Sequence, residues 1–298
     1  MVAIDLGSNT IRIVEYDCTS KTILKTYEKI VKTADNLVNS GEISEEAIKR
    51  IVNAIEEAKK EIKFNNVQAV TTEALRQANN RDYVIEKIKN ETGVEFKIID
   101  GYKEAYYTAL ASAICLHKKN IQFKNMFLVD IGGGSTELIV KTKKEEIISE
   151  SFPIGIVTIS QKYKSIEALE YGIRQDTKPF KDFINFIKQS YRPDIFVASS
   201  GTPTTIAALK IGLNYSTYDG NKINGIELTI ADLDEWMDKL LKMDMKHREK
   251  LVGIGRGDLI VSGIMIFKEI FRLSGFEKCV VCDMGLREGV AFDYCKNR

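Results

Sequence analysis

Three consecutive glycines follow an apolar run and lie between two acidic residues. Residues 130–137 read D-I-G-G-G-S-T-E, so Asp130 and Glu137 flank the glycines. Glycine costs conformational entropy, so three in succession indicate backbone that approaches another group closely or adopts positive φ. Exposed N–H groups in such a turn bind anions, but the carboxylates would repel an anion unless a hard cation such as Mg²⁺ lay between them. The segment therefore predicts a metal-bridged phosphate site, with a plain tight hairpin as the alternative.

A related segment occurs near the start of the chain. Residues 2–7 read V-A-I-D-L-G, and residues 127–132 read F-L-V-D-I-G, 125 positions later. In both copies a turn of small residues leads directly into a second strand-like run. After the aspartate of the first copy, Ser8, Asn9 and Thr10 offer N–H groups and side-chain donors to a phosphate. Two such turns together predict a two-sided phosphate clamp.

A third glycine turn joins a predicted strand to a predicted helix. Residues 198–205 read A-S-S-G-T-P-T-T, and Pro203 is suited to the first turn of a helix. In duplicated nucleotide-binding folds such a turn faces a nucleoside or further phosphates, which makes Gly201 and Thr202 candidates. An ordinary strand-to-helix turn explains the segment equally well.

The elements that must position these turns follow an α/β pattern in two similar halves. Each half begins with a β-hairpin, and apolar periodicity then predicts alternating helices and strands. A spacing of 125 residues is too long for a solenoid repeat and indicates a duplicated domain. We place the boundary in the polar stretch 117–124, which gives domains 1–118 and 119–298. Predicted helices include 83–92, 102–116, 166–190, 204–211, 232–251 and 259–271, and predicted strands include 1–6, 11–16, 22–32, 67–71, 95–99, 137–142, 194–198 and 277–283.

Composition excludes several classes of protein. The chain has 298 residues, enough for two domains, and its 44 % hydrophobic and 29 % charged residues are ordinary for a globular protein. With 43 basic and 42 acidic side chains it has no long-range field that would attract DNA, RNA or an anionic membrane. No apolar run is long enough to span a bilayer. We therefore expect a cytoplasmic protein.

The five cysteines are expected to be reduced thiols. Four of them lie in apolar or amphipathic surroundings, where a thiol packs well. Cys279 and Cys282 form a C-x-x-C within a strand-like run, but no second pair complements them and the chain has only two histidines. A structural metal or a redox function is therefore not expected for this pair.

The ordered set of motifs resembles the exopolyphosphatase/guanosine pentaphosphate phosphohydrolase (Ppx/GppA) phosphatase family across essentially the whole chain. The resemblance implies a duplicated actin-like, ribonuclease H-like α/β fold with an interdomain cleft, as in the sugar kinase/actin/heat-shock ATPase superfamily. The motifs are D-L-G-S-N-T (5–10), T-E-A-L-R-x-A-x-N (72–80), D-G-x-x-E-A (100–105), D-I-G-G-G-S-T-E (130–137), F-P-I-G (152–155), G-T-P-T-T (201–205), R-G-D (256–258) and G-L-R-E-G (285–289).

The resemblance also implies roles for individual residues. Glu104 would be the general base that activates the attacking water, as carboxylates do in phosphoryl transfer. Arg76 would grip phosphate with its planar fork of donors, although an ion pair with Glu73 or Asp82 is the alternative. The implied metal is Mg²⁺, with Mn²⁺ as an alternative, and its ligands would be Asp130 and Glu137, with Asp5 as a helper. The implied phosphate-binding residues are Gly7, Ser8, Asn9, Thr10, Gly132, Gly133, Gly134, Ser135, Thr136, Gly201 and Thr202.

Two positions depart from the family pattern. The family usually has two consecutive glutamates before the alanine, whereas here Lys103 precedes Glu104, and Asp100 stands where a serine or threonine is common. A lysine beside the base could hold the carboxylate ionised or contact phosphate. We also expect no C-terminal histidine-aspartate-type domain of the kind that longer relatives have, which leaves processivity on long polyphosphate open.

The leading functional interpretation is Mg²⁺-dependent hydrolysis of a terminal phosphoanhydride in inorganic polyphosphate or guanosine pentaphosphate. No arrangement of Ser, His and Asp or of Cys and His suggests a covalent intermediate, so direct attack by water is expected. An actin-like kinase or ATPase is one alternative, and a non-hydrolysing guanosine tetra- or pentaphosphate sensor is another. We expect no nucleic-acid or membrane partner, and a homodimer is a possible assembly.

Overall fold

The computed structural model describes residues 1–297, which form an α/β protein with eleven strands and fourteen α-helices. The strands are β1 (Val2–Leu6), β2 (Thr10–Asp17), β3 (Thr22–Ile30), β4 (Val67–Thr71), β5 (Phe96–Ile98), β6 (Asn125–Ile131), β7 (Thr136–Thr142), β8 (Ile147–Phe152), β9 (Ile195–Ser199), β10 (Glu227–Thr229) and β11 (Lys278–Val281). The helices are α1 (Leu37–Ser40), α2 (Glu45–Lys59), α3 (Glu73–Gln77), α4 (Arg81–Thr92), α5 (Gly101–Lys118), α6 (Ile156–Lys162), α7 (Ile166–Asp176), α8 (Lys178–Ser190), α9 (Gly201–Lys210), α10 (Gly220–Ile223), α11 (Ile230–Leu241), α12 (Met245–Val252), α13 (Leu259–Ser274) and α14 (Leu286–Lys296).

The chain divides into two compact units. The first contains residues 1–111 and the described residues from 286 onward, and the second contains residues 112–285. The division falls within α5, and the boundary expected from sequence between residues 118 and 119 stays a prediction. Helix α14 belongs to the first unit and not to the second because it packs on β1 and β2.

Both units contain a sheet with the same strand order. The first sheet is ordered β3-β2-β1-β4-β5, with antiparallel pairs in the β1–β2–β3 meander and parallel pairs from β1 through β4 to β5. The second is ordered β8-β7-β6-β9-β11, with the same directions, and adds the antiparallel edge strand β10. The repeated order confirms the predicted α/β class and the duplication.

Local sequence explains where most helices begin and end. The Ser44 side chain accepts a hydrogen bond from the N–H of Ala47 and caps α2, as its position before two glutamates predicts. The helix predicted over 166–190 is instead two helices, because Pro179 lacks an N–H and fits only the first turn of α8. The helix predicted over 232–251 is also divided, since Asp244 accepts from the N–H of His247 and starts α12.

Aromatic residues fill the core of the second unit. Phe127 of β6 stacks on Phe196 of β9 with ring centroids 5.2 Å apart, and Phe271 of α13 meets Phe196 edge-on at 5.0 Å. Aromatic pairs in these geometries stabilise a core beyond the area they bury. Helix α13 is buried along most of its length and holds this sheet from one side.

Helix α14 is joined to the first unit by side-chain packing and by a disulfide. The Phe292 ring contacts Tyr16 of β2 edge-on at 5.2 Å, and Gly289 lies directly against the Tyr107 carbonyl of α5. A disulfide connects Cys18, just after β2, to Cys295 near the end of α14. The expectation that all cysteines are reduced is therefore wrong for this pair, because the return of α14 brings together residues 277 positions apart.

The other three cysteines are free and buried, as the sequence indicates. Burial raises the pKa of the Cys279 thiol, and a hydrogen bond with Cys115 together with burial raises the pKa of Cys282. Thiols with raised pKa values are poor nucleophiles and poor metal ligands at neutral pH. The C-x-x-C pair is thus part of the packing of β11.

We expect reduction of the Cys18–Cys295 disulfide to destabilise the first unit selectively. A disulfide of this kind contributes roughly 2–4 kcal/mol by restricting the unfolded chain. The Cys295→Ser variant should therefore unfold at a lower denaturant midpoint than the oxidised wild type, and a reducing agent should lower only the wild-type midpoint. Equal midpoints for all samples would contradict a stabilising role for the disulfide.

Among the described residues, no helix is long and apolar enough to cross a membrane.

Candidate functional site

The glycine-rich loop of the second unit connects β6 to β7 and places two carboxylates side by side. Asp130 and Glu137 are direct partners in the antiparallel register of these strands, so both side chains lie on the same face of the sheet. The loop is closed by a hydrogen bond from the Gly132 N–H to the Ser135 carbonyl at 2.9 Å. Glu137 is 1 % exposed, and the Ser151 hydroxyl donates to its Oε1 at 2.7 Å.

Helix α6 holds the carbonyl groups of this loop. The N–H of Ile156 donates to the Gly132 carbonyl at 3.0 Å, and the N–H of Val157 donates to the Gly133 carbonyl at 2.8 Å. In a planar trans peptide the next N–H points away from the carbonyl. The N–H groups of Gly133 and Gly134 therefore point away from α6, and neither bonds to any group within residues 1–297. Two N–H groups with this orientation can bind an anion.

The position of the glycine loop depends on a contact that sequence reasoning did not identify. An ideal Cβ built on Gly155 would lie 2.4 Å from the Gly133 carbonyl oxygen and 2.6 Å from the Gly134 carbonyl carbon. Only glycine allows α6 to approach the loop so closely. The F-P-I-G motif carried the signal, but its position 22 residues after Gly133 in the sequence gave no reason to place it there.

The glycine loop of the first unit has the same construction. The Gly7 N–H donates to the Thr10 carbonyl at 3.0 Å, as Gly132 does to Ser135. The segment after β3 then takes the place of α6: the N–H of Ala34 donates to the Ser8 carbonyl at 2.8 Å, and the N–H groups of Val31 and Lys32 donate to the Asn9 carbonyl. The Asn9 N–H consequently points away from that segment.

A pair of carboxylates, and not a full cage of ligands, is available for a metal ion in the second unit. Within residues 1–297 no group of three or more His, Cys, Asp or Glu side chains is arranged to hold a metal. Mg²⁺ commonly uses only one or two carboxylates and completes its shell with water and substrate phosphates. Asp130 and Glu137, beside the free glycine N–H groups, fit that requirement. Asp5 lies in the first unit, so its predicted help in metal binding stays a prediction.

The hydroxyl groups of the third glycine turn have partners or neighbours within the second unit, and phosphate binding by Gly201 and Thr202 stays a prediction. The Thr202 side chain faces α13, where an ideal Cβ on Gly263 would lie 2.0 Å from the Thr202 Oγ1. The hydroxyls of Thr204 and Thr205 donate back to carbonyls of the first turn of α9. If this turn binds phosphate, it does so through backbone N–H groups at the start of α9.

Glu104 lies in the first turn of α5 and is 8 % exposed. Its Oε2 accepts a hydrogen bond from the Arg76 Nη1 at 2.8 Å. The two residues meet because α3 follows β4 and α5 follows β5, and these strands are parallel neighbours whose carboxyl ends share one edge of the sheet. A carboxylate in the first turn of a helix is also stabilised by the helix dipole.

Arg76 has carboxylate partners on both sides. Its Nε and Nη2 contact the Glu73 Oε2 at 2.8 and 2.7 Å, and its Nη1 donates to the Ile99 carbonyl as well as to Glu104. Burial lowers the pKa of Arg76, but Glu104 and Glu73 more than offset that effect and the pKa is raised. The ion pair with Glu73, considered above as an alternative to phosphate binding, is therefore formed. Phosphate binding by Arg76 stays a prediction.

Lys103, the departure from the family pattern, is directed at aromatic rings. Its Nζ lies 4.6 Å from the ring centroids of both Tyr106 and Tyr107, and 3.8 Å from the Asp293 Oδ2 of α14. The Tyr106 hydroxyl donates to the other Asp293 oxygen at 2.9 Å. Cation–π contacts and an ion pair together explain the lysine as a link between α5 and α14.

Comparison with known proteins supports one family. The family model of the Ppx/GppA phosphatase family matches residues 12–298. Exopolyphosphatase 1 of Mycobacterium leprae is 26 % identical over 96 % of this chain and 87 % of its own length. A bifunctional 3-dehydroquinate synthase/phosphatase of Fusobacterium nucleatum is 27 % identical over 99 % of this chain, which spans only 46 % of that protein's length.

Solved structures similar to this chain include a Ppx/GppA family member. A PPX-GPPA enzyme from Aquifex aeolicus is 30 % identical and superposes with a TM-score of 0.74, covering 98 % of each chain. An exopolyphosphatase from Cytophaga hutchinsonii, 23 % identical, superposes with a TM-score of 0.85 over 99 % of this chain and 97 % of that one, and so shares the fold.

Proposed function

Because the chain belongs to the Ppx/GppA phosphatase family, we propose that it is a Mg²⁺-dependent phosphohydrolase that releases terminal phosphate from inorganic polyphosphate or guanosine pentaphosphate. The observation that carries the proposal is the glycine loop of residues 132–134. It presents two unbonded N–H groups beside the paired carboxylates Asp130 and Glu137. An anion cradle next to hard oxygen ligands is suited to a metal-bound phosphate chain.

We infer a separate role for each of the candidate residues in the proposed reaction. Glu104 accepts a proton from water, whose oxygen then forms a bond to the terminal phosphorus. The bond from that phosphorus to the bridging oxygen breaks, and the leaving phosphate chain keeps the electron pair. The N–H groups of Gly133 and Gly134 bind phosphate oxygens, as does the first loop through Asn9. Asp130 and Glu137 would hold Mg²⁺, which when bound neutralises charge on the transferring group.

Names of relatives favour polyphosphate over the guanosine nucleotide. The mycobacterial relative and the Cytophaga structure are both named exopolyphosphatases. Two glycine loops of the same construction also suit a chain of identical phosphate groups. We therefore expect short polyphosphate to be the better substrate.

The substrate assay compares short polyphosphate, long polyphosphate, guanosine pentaphosphate and ATP side by side, with Mg²⁺ or with a chelator. Phosphate release from polyphosphate that depends on Mg²⁺ would support the proposal, and the length preference would describe the binding channel. Phosphate release only from guanosine pentaphosphate would identify that nucleotide as the substrate instead. Phosphoryl transfer from ATP to an acceptor would indicate a kinase, and nucleotide binding with no turnover would indicate a sensor.

A further inference from the structure

The Glu73 carboxylate is bound on both of its oxygens although no role is assigned to it. Its Oε2 contacts the Arg76 Nε at 2.8 Å and Nη2 at 2.7 Å, and the Gln77 side chain donates to its Oε1. The side chain is only 15 % exposed. The hydrogen bond from Nε, with the close approach of Nη2 to the same oxygen, restrains the plane of the guanidinium.

Arg76 is consequently held between two acids with different tasks. One edge of the guanidinium is bound to Glu73, and the Nη1 at the other edge donates to Glu104 and to the Ile99 carbonyl. Its Nε and Nη1 donate to these protein groups, whereas its Nη2 makes no hydrogen bond within residues 1–297. Glu73 thus fixes the orientation of the Arg76 guanidinium, and Arg76 in turn fixes the orientation of the Glu104 carboxylate.

Charge adds a second effect. Two carboxylates share one guanidinium, so the cluster of Glu73, Arg76 and Glu104 has a formal charge of −1 when all three are ionised. Arg76 favours the ionised form of Glu104, and the negative charge of Glu73 partly offsets that influence. A carboxylate whose ionised form is stabilised too strongly accepts a proton poorly. The negative charge of Glu73 therefore preserves the basicity of Glu104.

We propose that Glu73 is a positioning residue for the reaction: through Arg76 it fixes the orientation of the Glu104 carboxylate and limits how strongly the guanidinium stabilises its charge. The inference rests on the proposed function, with Glu104 as general base. It gives Arg76 a role in supporting Glu104, and phosphate binding by Arg76 stays a prediction.

Two other charged side chains at the start of α5 have partners of their own. Asp100, at the start of α5, accepts from the N–H of Lys103, and the Lys103 ammonium lies between two tyrosine rings and near Asp293 of α14. Glu104 forms an ion pair with Arg76. Glu73, through Arg76, is therefore one group that adjusts the protonation of Glu104.

The test measures the pH dependence of kcat and KM for phosphate release by the full chain with Mg²⁺ and short polyphosphate. Glu73→Gln removes a negative charge near Glu104 and leaves Arg76 less compensated, so the pKa of Glu104 should fall. The acid limb of kcat should move down by about 0.5–1 pH unit. The weaker base, whose carboxylate is also held less firmly by Arg76, should lower kcat by roughly three- to tenfold, while KM changes little. Arg76→Gln should move the acid limb in the opposite direction.

Two further variants separate charge from structure. Glu73→Asp keeps the charge but shortens the side chain, so kcat should fall with the acid limb near its wild-type pH. Glu95→Gln removes an exposed carboxylate of the same unit, paired with Lys89. This variant should change neither kcat nor the pH of the acid limb. If Glu73→Gln does not fold, as judged by circular dichroism, Glu73→Asp decides alone: a wild-type kcat would overturn the proposal.

An acid limb and a kcat for Glu73→Gln equal to those of the wild type would also overturn the proposal. Failure of the proposed function is distinct, because the wild type itself would then release no phosphate.

Discussion

Replacing Glu104 by glutamine should lower kcat for phosphate release by at least about a hundredfold, the usual cost of losing a general base. The amide has the same shape as the carboxylate, and its oxygen can still accept the 2.8 Å hydrogen bond from the Arg76 Nη1. It cannot take a proton from water at neutral pH. The variant should therefore keep the fold and lose the reaction.

Controls for this experiment come from the same unit. Glu95→Gln removes an exposed carboxylate of the same kind and should retain full activity. Binding of polyphosphate, measured by calorimetry in the presence of Mg²⁺, should change little in Glu104→Gln because the glycine loops are intact. A folded Glu104→Gln variant with more than about a tenth of wild-type kcat would show that another group activates the water.

The second large effect is expected from Gly155→Ala. The added Cβ would lie 2.4 Å from the Gly133 oxygen and 2.5 Å from its carbonyl carbon, and backbone atoms cannot rotate away as a side chain can. The backbone of Gly155 has φ −126° and ψ 172°, which alanine adopts easily, so the effect is one of space alone. Separation of α6 from the loop should cost about 1–3 kcal/mol of stability and turn the Gly133 and Gly134 N–H groups out of position.

We therefore expect Gly155→Ala to lower phosphate release by more than about tenfold and to raise KM, because aligned N–H donors contribute to both binding and catalysis. Gly93→Ala is a suitable control. Gly93 ends α4 with φ 70° and has no atom within 4 Å of an added Cβ, so alanine there should cost about 1 kcal/mol of stability without affecting activity. Normal kinetics in Gly155→Ala would mean that the glycine loop does not bind the substrate.

The glycine loops could be predicted from sequence because their signal is local. Three successive glycines and two flanking acids in residues 130–137 are visible in one short segment, and the copy at residues 5–10 repeats it. Strand register then follows from the alternation of each hairpin, which is why Asp130 and Glu137 are found as direct partners.

Contacts between distant segments could not be predicted in this way. The possible ion pair of Arg76 with Glu73 is visible as an i,i+3 spacing, whereas its contact with Glu104 depends on which strands are neighbours in the sheet. The approach of Gly155 to Gly133 likewise requires the turn after β8 to bring α6 back to the loop. No pattern in the sequence indicates that Cys295 returns to Cys18.

The return of α14 to the first unit has a consequence for synthesis of the protein on the ribosome. Residues 1–111 emerge first, but the helix that covers β1 and β2 follows only after residue 285. The whole of the second unit is therefore available to fold while the first still exposes apolar side chains such as Tyr16, the partner of Phe292. The first of the two units to emerge is therefore the last to be completed, and the nascent chain must keep that surface from aggregating in the interval.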